Sequence, residues 1–574
     1  MYEKSTLYKK LLEDHTKEEV DEIFEIELKK RNITDYTEFV KDYKREYTAE
    51  NIVKYVDLVS YFQLDIQMEF SEYLLNKYIL NRKYLDLICN FHCIRYVVEK
   101  LCSEENNLNN KKLLYISSFV EIYELNLKKN NYITNCGLRN CINLQNLNVM
   151  NNRKITSLYP FEKKLIKLTC HDSKINDKNL IKCINLQILN ANDNRNITTC
   201  KPFSKSLVEL YACCYSGIDD EGIKNCNNLR VLIISSNVRI TKCSHFSKSL
   251  IELDVSFDCN LGDKELKDCI NLQKLYAEYN EKITTCEPFA KNLIVLSAGE
   301  ICGIGDQGIK DCINLQKLYA ANNKKITTCD PFAKTLIKLN ASGDCGIGDK
   351  GLKNCINLRK LKINENDKVK DCSPFANSLI ELDAGECCGI TDEGIKNCIN
   401  LRYLNACDNE YITTCDPFAK NLISLNASDD CGINNRGLKN CINLQKLNAQ
   451  SNHKITTCKP FAKSLIELNA SRNCGICDIV LKKCINLKIL DASNNNRITT
   501  CEPFANSLVE LVACFNCGID NEGLKNCINL KKINNVQNKK IYGKQFSDIF
   551  DYRISCKEED MEYYFDLETD YEEE

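Results

Sequence analysis

The sequence carries almost no net charge: 77 Lys and Arg stand against 79 Asp and Glu over 574 residues. Nucleic-acid affinity rests on neutralising phosphates, so this balance excludes a general polyanion-binding surface, and no segment forms a basic stripe. Long apolar runs are missing as well. None approaches the roughly 18 residues of a membrane span, and the opening stretch MYEKSTLYKK is charged from Glu3 onward. These absences predict a soluble, unsecreted, cytoplasmic protein with no nucleic-acid and no membrane partner. Histidine is scarce. His15, His92, His171, His245 and His453 are scattered without a triad order, which leaves a hydrolase unsupported and the chain read as no enzyme. Proline is scarce and confined: all 8 copies, from Pro160 to Pro503, directly precede a phenylalanine.

Cysteine, by contrast, is abundant, with 37 copies. An odd count in a long chain without a signal peptide points to reduced thiols in a cytosol-like compartment. A cysteine opens the motif C-[IN]-N-L ten times, from Cys141 to Cys527, at a spacing of 43 residues after a first interval of 42. Such a period means a solenoid. Each unit splits into two related halves. In the unit 269–311, Leu272, Leu275, Ala277 and Ile283 of the first half match Leu293, Leu296, Ala298 and Ile304 of the second. A short strand with period-2 alternation points Leu275 and Ala277 inward and Lys274, Tyr276 and Glu278 outward, and one coil alone cannot bury its apolar side.

This L-x-x-L-x-A pattern resembles the leucine-rich repeat. The second half of each unit, I-[TG]-D-x-G-[IL]-K-x-C, is similar to the cysteine-containing subclass known from F-box-type ubiquitin-ligase receptors. The Asn/Lys/Ile-rich tandem units also resemble leucine-rich-repeat proteins of large amoeba-infecting DNA viruses, which would place the chain in a host cytoplasm. The resemblance covers residues 119–545 and implies an α/β fold, a leucine-rich-repeat solenoid: a curved parallel β-sheet horseshoe of about 20 coils with an N-terminal mainly helical domain. The Pro-Phe slot predicts an extended or 3₁₀ return path with the Phe in the core. The segment DEGIKNC (220–226) has room for a short helix, with Asp220 placed as its N-cap.

The stretches CGIGDQG (302–308) and CGIGDKG (345–351) contain G-x-G-x-x-G, the pattern of a loop that cradles a dinucleotide pyrophosphate. Sister copies argue against that role: SGIDDEG (216–222), CGITDEG (388–394) and CGICDIV (474–480) replace the middle glycine and keep the first. The first glycine reads as a turn residue with positive φ, and no cofactor is expected.

Of the 37 cysteines, 25 occupy three fixed places in the unit, exemplified by Cys269, Cys286 and Cys302. Equivalent positions lie two coils apart, roughly 10 Å, beyond the ~7 Å Cα limit of a disulfide. Packing of a small, weakly polar side chain is the plain reading. Metal binding is the sharper one. Cys474 and Cys477 form C-x-x-C, as do Cys514 and Cys517, but neither has a second pair at zinc-finger spacing; Cys89, His92, Cys93 and Cys102 could share a helix face.

Residues 1–118 lack the repeat and read as helical, starting a strong amphipathic stretch at Thr48. Glu50, Asn51, Ile52, Tyr55, Val56, Val59, Phe62 and Gln63 match a run of the BTB/POZ domain, and STLYKKLLED (5–14) is similar to an upstream helix of that family. The match leaves out that family's first strands and dimerisation segment. It implies cullin binding by the remaining helices, and a helical cap on the open end of the solenoid is the alternative. The tail, residues 546–574, ends in KEEDMEYYFDLETDYEEE and reads as acidic and disordered.

In such an architecture one side chain per coil projects from the concave face into a trough, where a protein ligand would bind. Offsets of 21 and 22 residues, which sum to the 43-residue unit, align Lys317, Lys338 and Lys360 in consecutive coils, with Glu381 next and Lys362 beside Asp383. Tyr276, Tyr319 and Tyr403 punctuate the rows, and acids at Glu209, Glu252, Glu467 and Glu510 lie towards both ends. Two functions follow: an interaction scaffold, extended to a substrate adaptor of a cullin-type ubiquitin ligase, or a structural or decoy repeat without that link.

Overall fold

The computed structural model describes residues 109–117 and 121–542, in two compact units, Met1–Asn271 and Leu272–Glu574. The BTB-like matches, the Cys89–Cys102 cluster and the acidic tail lie outside the described residues. The architecture is a leucine-rich-repeat solenoid, built from twenty three-residue strands. In the first unit β1 (Glu124–Asn126) to β7 (Glu252–Asp254) pair in sequence, parallel and in register. In the second unit β8 (Lys274–Tyr276) to β20 (Lys532–Asn534) do the same.

The repeat explains why. The middle residue of each strand faces inward, so Leu275, Leu296 and Leu318 are fully buried, with the preceding Leu272 and following Ala277 beside them. Each such leucine contributes about 1.5–3 kcal/mol of burial only when the next coil covers it. After each strand the chain turns through a residue with φ between 41° and 62°, and this residue is Glu, Asn, Asp or another non-glycine everywhere except Gly343.

A row of buried asparagines, absent from the reading above, stitches the coils. Asn366 donates through Nδ2 to the carbonyls of Ala341 at 2.6 Å and Ile347 at 3.3 Å in the preceding coil, and its Oδ1 accepts from the amides of Lys368 at 2.8 Å and Val369 at 3.2 Å. Asn323, Asn409, Asn452 and Asn495 are buried in the same place. Alternate coils carry Cys302, Cys345, Cys388, Cys431 and Cys474 there instead.

On the return path seven of the eight Pro-Phe slots form the expected 3₁₀ turns, from Lys201–Phe203 to Glu502–Phe504, the slot at Pro160 lies in an ordinary turn, and the phenylalanine of every slot is buried. The other coils return through four-residue helices such as Asp220–Ile223 and Asp306–Ile309.

Two expectations need correction. Asp220 is the first helical residue, not the N-cap; Asp219 caps, accepting from the Gly222 amide at 3.0 Å. Asp220 reaches the next coil instead, where Thr241 donates its amide at 2.7 Å and its hydroxyl at 2.6 Å. Asp306 holds Thr327 in the same way, at 2.8 and 2.6 Å. The first glycine of G-x-G-x-x-G does not have positive φ. A Cβ on Gly303 would fall 2.5 Å from the Glu281 carbonyl oxygen and nearer still to that of Ile283, so glycine is needed because the previous coil's backbone passes so close. The middle glycine, Gly305, is the extended N-cap of the four-residue helix Asp306–Ile309. Gly, Asp and Thr all suit that place, which accounts for the variation between copies.

Candidate functional site

Inward residues are committed to stacking, so chemistry that varies from coil to coil is found on the outward strand positions. Five adjacent strands of the second unit bring the expected residues together: β10 (Lys317–Tyr319), β11 (Lys338–Asn340), β12 (Lys360–Lys362), β13 (Glu381–Asp383) and β14 (Tyr403–Asn405). Their register sets Lys317 beside Lys338, Lys338 beside Lys360, Lys360 beside Glu381 and Glu381 beside Tyr403. The second row runs Tyr319, Asn340, Lys362, Asp383, Asn405. Tyr276 stands on β8, two strands from Tyr319, so it flanks this group.

Within the patch, Lys317 is exposed and the other two lysines of its row are half-buried. Lys338 Nζ lies 5.5 Å from the centre of the Tyr319 ring, a cation–π contact worth about 0.5–1 kcal/mol at an exposed site. Lys360 Nζ is 3.2 Å from Glu381 Oε2, and Glu381 is only 8% exposed, so this pair is the best shielded of the row. Burial pushes the Asp383 carboxyl above its ordinary value, with Lys362 acting against the shift. Asn405 Nδ2 donates to Asp383 Oδ1 at 2.8 Å. The acids further along the second unit are paired too: Glu467 with Lys446 at 3.1 Å and Glu510 with Lys532 at 3.3 Å.

A second feature was invisible in the rows alone. The turns that follow the strands carry Glu278, Glu300, Glu365, Glu386, Asp408 and Asp429, so the second unit has an acidic margin along the C-terminal ends of its strands. Within the patch these carboxylates follow β12, β13 and β14, at Glu365, Glu386 and Asp408, while Asn322 and Gly343 stand at the same place after β10 and β11, so the lysines and the acidic turns are offset along the row. Partial burial first, and then the Glu365 carboxyl beside it, push Glu386 up to about 7. The signal was present as an acidic residue recurring at one distance after the strand in Glu300, Glu365, Glu386, Asp408 and Asp429, with Glu278 one place nearer its strand.

The cysteine readings can be placed as well. Cys514 is buried and donates to Asn534 Oδ1 at 3.2 Å, Cys517 is buried, and Cys477 is the N-cap of helix Asp478–Leu481. Among the described residues, three metal-capable side chains converge at Cys407, Asp408 and Asp429, and neither C-x-x-C belongs to that group. Burial pushes the Cys407 thiol up, so it stays protonated, donating to Asp408 Oδ2 at 3.5 Å and Asp429 Oδ2 at 3.6 Å. No described helix is long and apolar enough to cross a membrane.

No protein-family model matches this sequence, and no curated protein is similar to it. Solved structures are. An internalin from Listeria monocytogenes is 20% identical, with 65% of this chain and 92% of that one covered at a TM-score of 0.31. A leucine-rich-repeat protein of Leptospira interrogans is 18% identical, covering 67% and 93% at 0.34. TLR13, in its complex with a single-stranded RNA, is 14% identical, covering 76% and 77% at 0.46.

Proposed function

We propose that this chain is a non-enzymatic interaction scaffold that binds a protein partner through the outward face of β10 to β14. The observation that carries the reading is the contrast within each strand: the inward leucine repeats while Lys317, Tyr319, Lys338, Lys360, Lys362, Glu381, Asp383 and Tyr403 follow an order that no other five adjacent strands of the second unit share, with Tyr276 on β8 at its flank. Tyrosine and a shielded ion pair beside the exposed Lys317 suit a contact in which aromatic anchors bind and charges orient. The acidic margin restricts the partner to a surface with its own charges separated in the same sense. Nothing in this reading needs a cofactor, and a reducing cytoplasm suits the many thiols.

The test is capture from native extract by the full chain and by a Lys317→Glu/Lys338→Glu variant. A partner retained by the first and lost by the second, with unchanged unfolding of both, supports the reading. Equal capture by both ends it.

A finer reading, a substrate adaptor for a cullin-type ligase with residues 1–118 as the docking segment, rests on the BTB-like run from Glu50 to Gln63. Pull-down of a cullin by the full chain, abolished by Ile52→Asp and Val56→Asp, is its expected signature. Failure to retain a cullin leaves the scaffold role without a ligase, and residues 1–118 as a cap. The alternative, a structural or decoy repeat, predicts no partner dependent on the lysine row.

A further inference from the structure

Equivalent cysteines are too far apart to bridge, but unlike ones meet. Cys243 Sγ and Cys269 Sγ are 3.8 Å apart, 26 residues along the chain. Cys200–Cys226, Cys329–Cys355, Cys372–Cys398, Cys415–Cys441, Cys458–Cys484 and Cys501–Cys527 stand at the same two places of their units, and the Cys501 amide donates at 2.9 Å to the carbonyl of Gly523, in the turn that leads to Cys527. In every pair the first cysteine precedes the Pro-Phe slot or its equivalent, and the second opens the C-[IN]-N-L motif of a later coil. Sulfurs as close as those of Cys243 and Cys269 need to approach by about 1.8 Å to reach the ~2.05 Å of an S–S bond.

Burial separates one pair from the rest. Cys226, Cys269, Cys355, Cys398, Cys441 and Cys484 are all fully buried, and so are their partners to within 1%. Cys527 is half-buried, in the last described coil, while Cys501 beneath it is fully buried. An oxidisable cysteine is an accessible thiol of low pKa with a resolving thiol beside it. The hydrogen bond with Cys501 lowers the Cys527 thiol, and on Cys501 that same bond and then burial act upward. Cys484 is lowered in the same way by Cys458 but has no access to solvent.

We infer that Cys527 is an oxidation site for small hydroperoxides, with Cys501 as its resolving partner, and that the product is a disulfide closing the loop 501–527. The Cys527 thiolate attacks the outer oxygen of the hydroperoxide. The O–O bond breaks, the alcohol leaves with a proton, and Cys527 becomes a sulfenic acid. The Cys501 sulfur then attacks the sulfenic sulfur, the S–S bond forms, and the displaced hydroxide leaves as water with the Cys501 proton. Each sulfur has lost one electron and the hydroperoxide has gained two. The bridge fastens the helix-side return of the last coils and leaves the outward strand face untouched.

The experiment treats the folded full chain with a few equivalents of hydrogen peroxide, alkylates remaining thiols after denaturation, and maps peptides without reductant. A Cys501–Cys527 linked peptide should dominate, at least tenfold over links at Cys329–Cys355, Cys372–Cys398, Cys415–Cys441 or Cys458–Cys484. In Cys501→Ser the sulfenic acid should persist on Cys527 and be trapped by a cyclic diketone. The inference is overturned if Cys527 stays unmodified, if it over-oxidises equally with and without Cys501, or if the interior pairs link as fast.

Discussion

The two sides of the same strands follow opposite rules. Inward, the central residue is leucine in every strand from β1 to β19 (Glu510–Val512), and from β2 (Asn146–Asn148) onward the buried asparagine returns in alternate coils. Outward, the first strand position runs Lys, Val, Lys, Lys, Lys, Glu, Tyr, Ser from β8 to β15 (Ser424–Asn426). The inside answers to one requirement, that each coil cover its neighbour, so one solution can be copied. The outside is released from that requirement and is free to differ. Damage inside should therefore appear as lost stability, and damage outside as lost binding with stability intact.

The sharpest way to break this comparison is Asn366→Ala. It orphans the buried carbonyls of Ala341 and Ile347 and the buried amide of Val369, together with the part-buried amide of Lys368. A loss of about 3 kcal/mol is expected in native-state hydrogen exchange of those coils; a loss under about 1 kcal/mol would show that the asparagine row is dispensable. Next is Gly303→Ala. Its Cβ would press on the carbonyl oxygens of Glu281 and Ile283, which are backbone and cannot swing aside, so about 2 kcal/mol should be lost in urea denaturation. Gly305→Asp two residues later should be neutral or stabilising, because Asp219 already caps the equivalent helix.

A subtler effect tests the acidic margin. Glu386 stands at about 7 in the folded protein against an ordinary 4.5, so the folded state holds a proton that the unfolded chain releases. The contribution is fully present below about 4.5 and is lost as pH rises through about 7. The urea midpoint of the wild type should fall across that window, and Glu365→Gln should flatten the fall. An identical slope in both would dissociate the two carboxylates. Smallest of all is Lys317→Ala, an exposed outward change, expected within about 0.5 kcal/mol of wild type in the same denaturation.

Leu275, Ala277 and the Pro-Phe slot were legible in the sequence because their roles follow from spacing alone: period 2 for the strand, a fixed φ for proline. The lysine row was legible for the same reason, since constant offsets translate directly into strand register. Gly303 was misread because a glycine signals either an unusual torsion or a close approach, and only the neighbouring coil's position distinguishes them. Asp220 looked like a cap since its true partner, Thr241, is 21 residues away. The thiol pairs escaped notice because they join unlike positions, and comparing copies tests only like ones. Asn323 recurs with Ile326 every repeat and could have been found by asking which polar residue never changes place.

The alternation of asparagine and cysteine coils fixes the quantum in which this array can be lengthened or trimmed. Asn366 needs the Ala341 carbonyl of a cysteine-type coil behind it, and Lys368 Nζ reaches the Cys345 carbonyl of that same coil at 2.7 Å. From β3 (Lys167–Thr169) onward, removing a single coil would set two of one kind side by side, an arrangement the described chain has only where the Asn152 coil rests on the Asn130 coil, whereas excising a whole block such as 398–440 rejoins matching surfaces. Each block carries about 10 Å of outward face. The molecule thus works like a ruler graduated in pairs, on which a recognition pattern can be moved by whole divisions without recutting any mark.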